Sequence, residues 1–114
     1  KLDNLVVIVD NNGLQIDGTT EQVMGLEPLA DKWQSFGWHV QEVDGHDTEA
    51  LSAAVDAAKA AKGQPSVLIA NTVKGCGSAI MENKAGWHHH LPNQEEYEQI
   101  VSDFTARKEA ALYE

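Results

Sequence analysis

Short uninterrupted apolar runs alternate with stretches of helical period along this chain, and that alternation predicts its elements. Residues 5–9 (LVVIV) are rich in β-branched side chains and show no polar alternation, the pattern of a strand covered on both faces, which favours a parallel sheet. Pro28 suits the first turn of a helix whose Leu29, Trp33 and Phe36 fall on one face at i, i+4 and i+7, and Gly37 offers a left-handed stop. Residues 38–43 carry Trp38, Val40 and Val43 as a second strand, closed by Asp44-Gly45. With Asp47 or Thr48 as cap, an alanine-rich helix then places Leu51, Ala54, Val55 and Ala58 on one stripe and ends at Gly63, with Pro65 barring continuation. Residues 66–70 (SVLIA) form a third strand, apolar throughout. Residues 72–92 contain glycines and no period, so they read as a long loop, which in a compact domain is more often functional than idle. Asn93 with Glu96 three residues on has the form of a capping box, and Tyr97, Ile100, Val101 and Phe104 are the expected buried face of a terminal helix.

The sum, β-α-β-α-β-loop-α, predicts an α/β fold: an open, mostly parallel sheet flanked by helices, joined by right-handed crossovers. In such sheets ligands bind beyond the carboxyl ends of the strands. Those ends are here "DNNGLQIDG", "DGHD" and "NTVKGCGS", so any chemistry is expected along that one edge.

Composition narrows the partners. At 114 residues the chain is one domain at most. Acidic side chains outnumber basic ones 18 to 8, for a formal charge of −10, and no Lys/Arg cluster occurs, which argues against nucleic acid and anionic membrane as partners. The single cysteine, Cys76, makes no internal disulfide, and neither a leader nor a bilayer-length apolar run is evident, so a cytoplasmic setting is expected. The chain starts at Lys1 rather than methionine, which leaves open that it is a piece of something longer.

Two stretches carry candidate chemistry. In "VVIVDNNGLQIDGTT", Asn12-Gly13 is a hairpin signal when two alternating strands flank it, but one flank is uniformly apolar and no strand of matching length follows Ile16. A ligand turn is preferred over a hairpin. An asparagine side-chain oxygen with a backbone carbonyl two residues later is a plausible pair of hard ligands for Mg²⁺, which takes the rest of its octahedron from phosphate and water. In "TVKGCGSAIMENKAGWHHHLPN", Lys74 beside Gly75 and Gly77 could meet phosphate oxygens, without the Gly-Lys-Ser/Thr order of a P-loop. His88, His89 and His90 invite a metal reading, yet consecutive loop histidines rarely converge and nothing else has zinc-like spacing to them. One functional imidazole with two solvated or packing neighbours is the better expectation. Trp87 reads as a loop anchor, His39 as a half-buried sheet residue and His46 as part of the hydrogen bonding at a helix entry.

Together "NLVVIVDNNGLQIDGTT", "FGWHVQEVDGHD" and "TVKGCGSAIMENKAGWHHHLPN" resemble the diphosphate-binding domain of transketolases, above all the type split into two subunits. The resemblance runs essentially the whole length and in order. It implies a thiamine-diphosphate-binding fold, with residues 1–114 as the C-terminal part of that domain, and transfer of a two-carbon ketol unit between sugar phosphates. It implies thiamine diphosphate and Mg²⁺ as cofactors, with Asn12 giving its side-chain oxygen and Leu14 its backbone carbonyl to the metal. Ile16 would pack against the cofactor rings, Lys74 would lie in the loop that approaches the diphosphate, and His88 would face cofactor and sugar. Many relatives carry Gly after that histidine where this chain has His89, so the resemblance leaves the choice between His88 and His89 open.

The family's "GDG" phrase, its upstream histidines and the glutamate that activates the aminopyrimidine have no counterpart here. The resemblance therefore implies a partial site, a pyrimidine-binding subunit or domain as partner, and an oligomeric complete enzyme. Related deoxyxylulose-phosphate synthases share "VDGHD" and a loop histidine but differ at the first turn. A non-catalytic remnant and a metal module built on "WHHH" are the rival readings.

Overall fold

The structure is a computed structural model that describes residues 1–112. Its chain falls into two units, Lys1–Asn12 with Met24–Thr72, and Gly13–Val23 with the residues from 73 on.

The first unit is built on a parallel three-stranded sheet. β1 (Val6–Asn11), β4 (His39–Asp44) and β5 (Ser66–Asn71) pair in the order β1-β5-β4, so the last strand in sequence is central in space. The apolar pattern explains the order. β5 has no polar residue between Val67 and Ala70, and these four are buried, Leu68 completely. A strand with both faces covered is the one that can lie in the middle. α3 (Thr48–Ala60) packs its Ala54 on Leu68, Ala70 and Val43, with Val6, Ala50, Leu51 and Val55 at the margin of that core. Asp47 starts the helix by accepting hydrogen bonds from Glu49 N and Ala50 N, both at 2.9 Å. α2 (Leu29–Ser35) begins one residue later than the sequence suggests, with Pro28 in the cap position, and stops at Gly37, whose φ of +81° is the expected left-handed turn. Trp33 and Trp38 meet edge to face at 4.8 Å across that turn.

Two expectations for this unit need correction. β1 is not covered on both faces, since Ile8 is 58% exposed, and it lies at an edge of the sheet, paired with β5 alone among the described residues. Phe36 lies just past the end of α2 and is 82% exposed, so it is no part of a buried helix face.

In the second unit, β2 (Leu14–Gln15) and β3 (Gly18–Thr19) form a two-rung antiparallel hairpin that leads into α1 (Thr20–Met24). The sequence favours a ligand turn over a hairpin at Asn12-Gly13. A hairpin does form nearby, but it turns at Ile16-Asp17, where Asp17 N donates to Gln15 Oε1, and not at Asn12-Gly13. The ladder is too short to show alternation. α4 (Gln94–Ala111) opens with the expected capping box: Asn93 Oδ1 accepts from Glu96 N, and Glu96 Oε2 accepts from Asn93 N, each at 2.9 Å. Its apolar stripe is not buried as expected, since Tyr97, Val101 and Phe104 are about half exposed.

The capping box gives a pH prediction. Hydrogen bonding from the Asn93 backbone, then from His90, holds the Glu96 carboxyl below its ordinary range. A lowered folded-state value means the contribution is present above the ordinary glutamate range and is lost as pH falls through the lowered value. Protection of the amides of residues 94–97, corrected for the intrinsic pH dependence of exchange, is expected to fall in that acid window in the parent, and Glu96→Gln should abolish that pH dependence. An acid profile that is the same in both proteins would contradict it.

Candidate functional site

The carboxyl ends of the three parallel strands finish in step. Asn11 and Asp44 are both in register with Asn71, so the edge carries Asp10, Asn11, Asp44, Asn71 and Thr72 together. Asn11 Nδ2 donates to Asn71 Oδ1 at 2.9 Å, Thr72 Oγ1 donates to Asp10 Oδ1, and Thr72 N donates to Asn11 O at 3.3 Å. On the other side Gly45 N donates to Asn71 O at 2.8 Å, and Asp44 Oδ1 accepts from His46 N at 2.8 Å.

Gly45 allows this closeness. A Cβ there would run into Thr72 Cγ2 and come within 3.1 Å of Asn71 O. Gly45→Ala is expected to cost about 1–3 kcal/mol, the usual range for overpacking. Equilibrium denaturation measures it, and an unchanged midpoint would show that β5's end can shift freely.

Asn12 stands one residue past β1, as the last residue of the first unit's Lys1–Asn12 segment. The Asn11 side chain is committed to Asn71. Leu14 and Ile16 lie in the second unit, Leu14 half-buried in β2 and Ile16 exposed in the hairpin turn. Lys74 is half-buried there, and its carbonyl accepts from Asn83 N at 3.0 Å.

His88 ends a single 3₁₀ turn (Ala85–His88) and is exposed. The turn is pinned by Trp87, whose Nε1 donates to Ile80 O at 2.9 Å, the anchoring expected of it. The three histidines then separate in role. His90 packs edge-on against Trp87 at 4.5 Å and bonds Glu96 Oε2 at 2.8 Å, which ties it to the start of α4. His88 and His89 are exposed and meet edge to face at 4.4 Å. Among the described residues no group of three His, Cys, Asp or Glu gathers that could hold a metal, so the three-histidine module finds no support in the geometry. His39 is half-buried, with Nδ1 3.3 Å from Ser66 Oγ, the bland role expected of it.

The glycines after Lys74 have a packing reason that sequence reading missed. A Cβ on Gly77 would lie 2.6 Å from Phe104 Cε1 and 3.0 Å from Arg107 Nη1, and Gly77 N donates to Glu82 Oε1 at 2.8 Å. Gly77 is thus required by the approach of α4, whatever else the loop does. Ala79 N donates to Asp103 Oδ2 at 2.9 Å and, after the Gln99 side chain, helps hold the Asp103 carboxyl below its ordinary range.

The donor chemistry suits a magnesium diphosphate. An asparagine oxygen at a strand end and a peptide carbonyl two residues on are neutral oxygen donors, of the kind Mg²⁺ combines with phosphate oxygens and water. No helix among the described residues is long and apolar enough to cross a membrane.

Known proteins share this architecture. The family model described as the transketolase thiamine diphosphate binding domain matches residues 1–110. The chain is 44% identical over 103 residues to the 6-deoxy-6-sulfo-D-fructose transketolase subunit SqwG of a Clostridium species, covering 90% of this chain and 38% of that protein. It is 45% identical over 109 residues to an apulose-4-phosphate transketolase subunit of Phocaeicola vulgatus, covering 96% and 39%. Among solved structures, Campylobacter jejuni transketolase superimposes with a TM-score of 0.84 at 26% identity, over 92% of this chain and 16% of that one. The Pichia stipitis transketolase crystallised with sedoheptulose-7-phosphate gives 0.83 at 31% identity, over 91% and 15%. The chain thus spans well under half the length of these relatives. With nearly all of its residues matched by that domain's model, the chain belongs to the transketolase family, in its thiamine diphosphate binding domain.

Proposed function

We propose that this chain supplies the diphosphate side of a thiamine diphosphate site in a split transketolase, which moves a two-carbon ketol unit between sugar phosphates. Residues 1–114 would form the C-terminal part of the cofactor-binding domain. The observation that carries the reading is the position of Asn12, directly beyond the carboxyl end of β1, the edge where open parallel sheets take their ligands.

Asn12 Oδ1 and the Leu14 carbonyl would hold Mg²⁺, Ile16 would offer apolar contact to the cofactor rings, and the Lys74 ammonium would approach the diphosphate. Bound thiamine diphosphate supplies the nucleophilic carbon and the electron sink for breaking and remaking a carbon–carbon bond. The chain's own contribution to the proton transfers is an imidazole. His88, exposed on an anchored turn, can donate or accept a proton at a sugar oxygen, and its accessibility suits that role. His90 is unsuited to it, because its ring is already shared between Trp87 and Glu96.

The pyrimidine side would come from a second subunit or domain. The names of the two bacterial relatives, each a transketolase subunit, support a partner chain. The complete enzyme would be an oligomer in the cytoplasm, in pentose phosphate metabolism or a parallel sugar route.

The test is ketol transfer from a ketose phosphate to an aldose phosphate by the full-length protein with its pyrimidine-binding partner. Turnover should require both chains, thiamine diphosphate and Mg²⁺. Transfer that persists without this chain, or the lack of any transfer by the loaded pair, would reject the proposal.

A further inference from the structure

We propose that Asn71 and Thr72, at the end of β5, are positioning residues: they clamp the end of β1 and so aim Asn12 at the metal. The inference rests on the reading of Asn12 as a magnesium ligand and concerns a pair of residues which that reading does not use.

β1 is paired only with β5 among the described residues, and its register ends at Asn11 opposite Asn71. How firmly Asp10 and Asn11 are held therefore bears on the direction in which the chain leaves the sheet at Asn12, beside the interaction that Asn12 itself makes. Each is held by a side chain at the end of β5. Asn71 Oδ1 accepts from Asn11 Nδ2 at 2.9 Å, and Thr72 Oγ1 donates to Asp10 Oδ1, while Thr72 N closes the ladder on Asn11 O at 3.3 Å.

Successive side chains on a strand point to opposite faces. Asp10 and Asn11 are successive, so the two bonds grip β1 from opposite faces of the sheet. A single bond would leave the strand end free to roll about its axis; one on each face opposes that rotation. This is the motion that would swing an asparagine ligand off a metal, where tolerances are about 0.5 Å.

The clamp is not what holds the sheet together. The fold is secured by the buried run Val67, Leu68, Ile69 and Ala70 inside β5, and both side-chain bonds lie at the exposed rim. Loss of the clamp should thus be felt at the metal and not in the unfolding transition. Partners that orient a metal ligand without touching the metal typically change affinity by about 10–100-fold.

The experiment uses the full-length protein with its pyrimidine-binding partner and the variants Asn71→Leu, Thr72→Val, Thr72→Ser, Asn11→Leu, the double Asn11→Leu/Asn71→Leu, and Asn12→Ala. Titration calorimetry gives thiamine diphosphate affinity in Mg²⁺, and thermal unfolding without cofactor gives stability. Asn71→Leu and Thr72→Val are expected to weaken affinity by about tenfold with an unchanged melting temperature. Thr72→Ser keeps the hydroxyl and should restore parental affinity. The double variant should be no worse than its worse single, because both changes remove the same bond.

Unchanged affinity in Asn71→Leu and Thr72→Val, while Asn12→Ala loses affinity, would overturn the clamp and leave the ligand standing. A loss that follows a falling melting temperature would make the two residues structural only, and would also overturn it. Unchanged affinity in Asn12→Ala would remove the ligand assignment and the clamp with it.

Discussion

Replacing His88 by alanine is expected to cut ketol transfer by about 10²–10⁴-fold, the usual effect of a lost acid–base group, with thiamine diphosphate affinity almost unchanged. The separation follows from the geometry. His88 sits exposed at the end of a 3₁₀ turn that Trp87 ties to the Ile80 carbonyl, so the side chain can be removed without releasing the turn. His89→Ala should have a smaller effect on turnover. His90→Ala should act through stability, because it removes the partner of Glu96 at the capping box. Steady-state rates, cofactor titrations and melting curves on the three single variants distinguish these roles. A larger loss in His89→Ala than in His88→Ala would move the catalytic role by one residue.

Leu68→Ala is expected to destabilise the protein by about 2–5 kcal/mol, the range for a buried leucine in a close-packed core. Leu68 is completely buried in the central strand and packs with Val43, Ala54 and Ala70, elements drawn from β4, α3 and β5. Against a typical total of about 5–15 kcal/mol such a loss threatens folding at ordinary temperature. The denaturant midpoint should fall with little change in slope. A change below about 1 kcal/mol, ordinary for surface positions, would mean that β5 is not the centre of the core.

The sequence was most legible where one local rule sufficed. The stripe of α3 with Asp47 as cap, the apolar run of β5 and the Asn93/Glu96 capping box could each be read within a window of a few residues. Exposure was less legible. Tyr97, Val101, Phe104, Phe36 and Ile8 have the apolar spacing of covered positions, yet the structure leaves them exposed. Periodicity reports that a face is apolar and says nothing of which surface covers it. The β2-β3 hairpin escaped because two rungs show no alternation.

At the candidate site, the motifs pointed to the strand-end edge and to separate roles for the three histidines, but contacts across the chain were invisible. The bond between Asn11 and Asn71 spans 60 residues, and the need for glycine at position 77 comes from Phe104 on a later helix. No spacing rule encodes either one. Gly75 and Gly77 beside Lys74 carry no spacing that tells close approach of a ligand from close approach of protein, and the approach observed at Gly77 is that of α4.

The central claim is that this chain carries the metal and diphosphate end of a thiamine site. It is tested most directly by titrating thiamine diphosphate into the full-length protein with its partner, once in Mg²⁺ and once in EDTA. The account predicts saturable binding in Mg²⁺ that is lost in EDTA. Equal affinity in both buffers, or no binding in either, would contradict it.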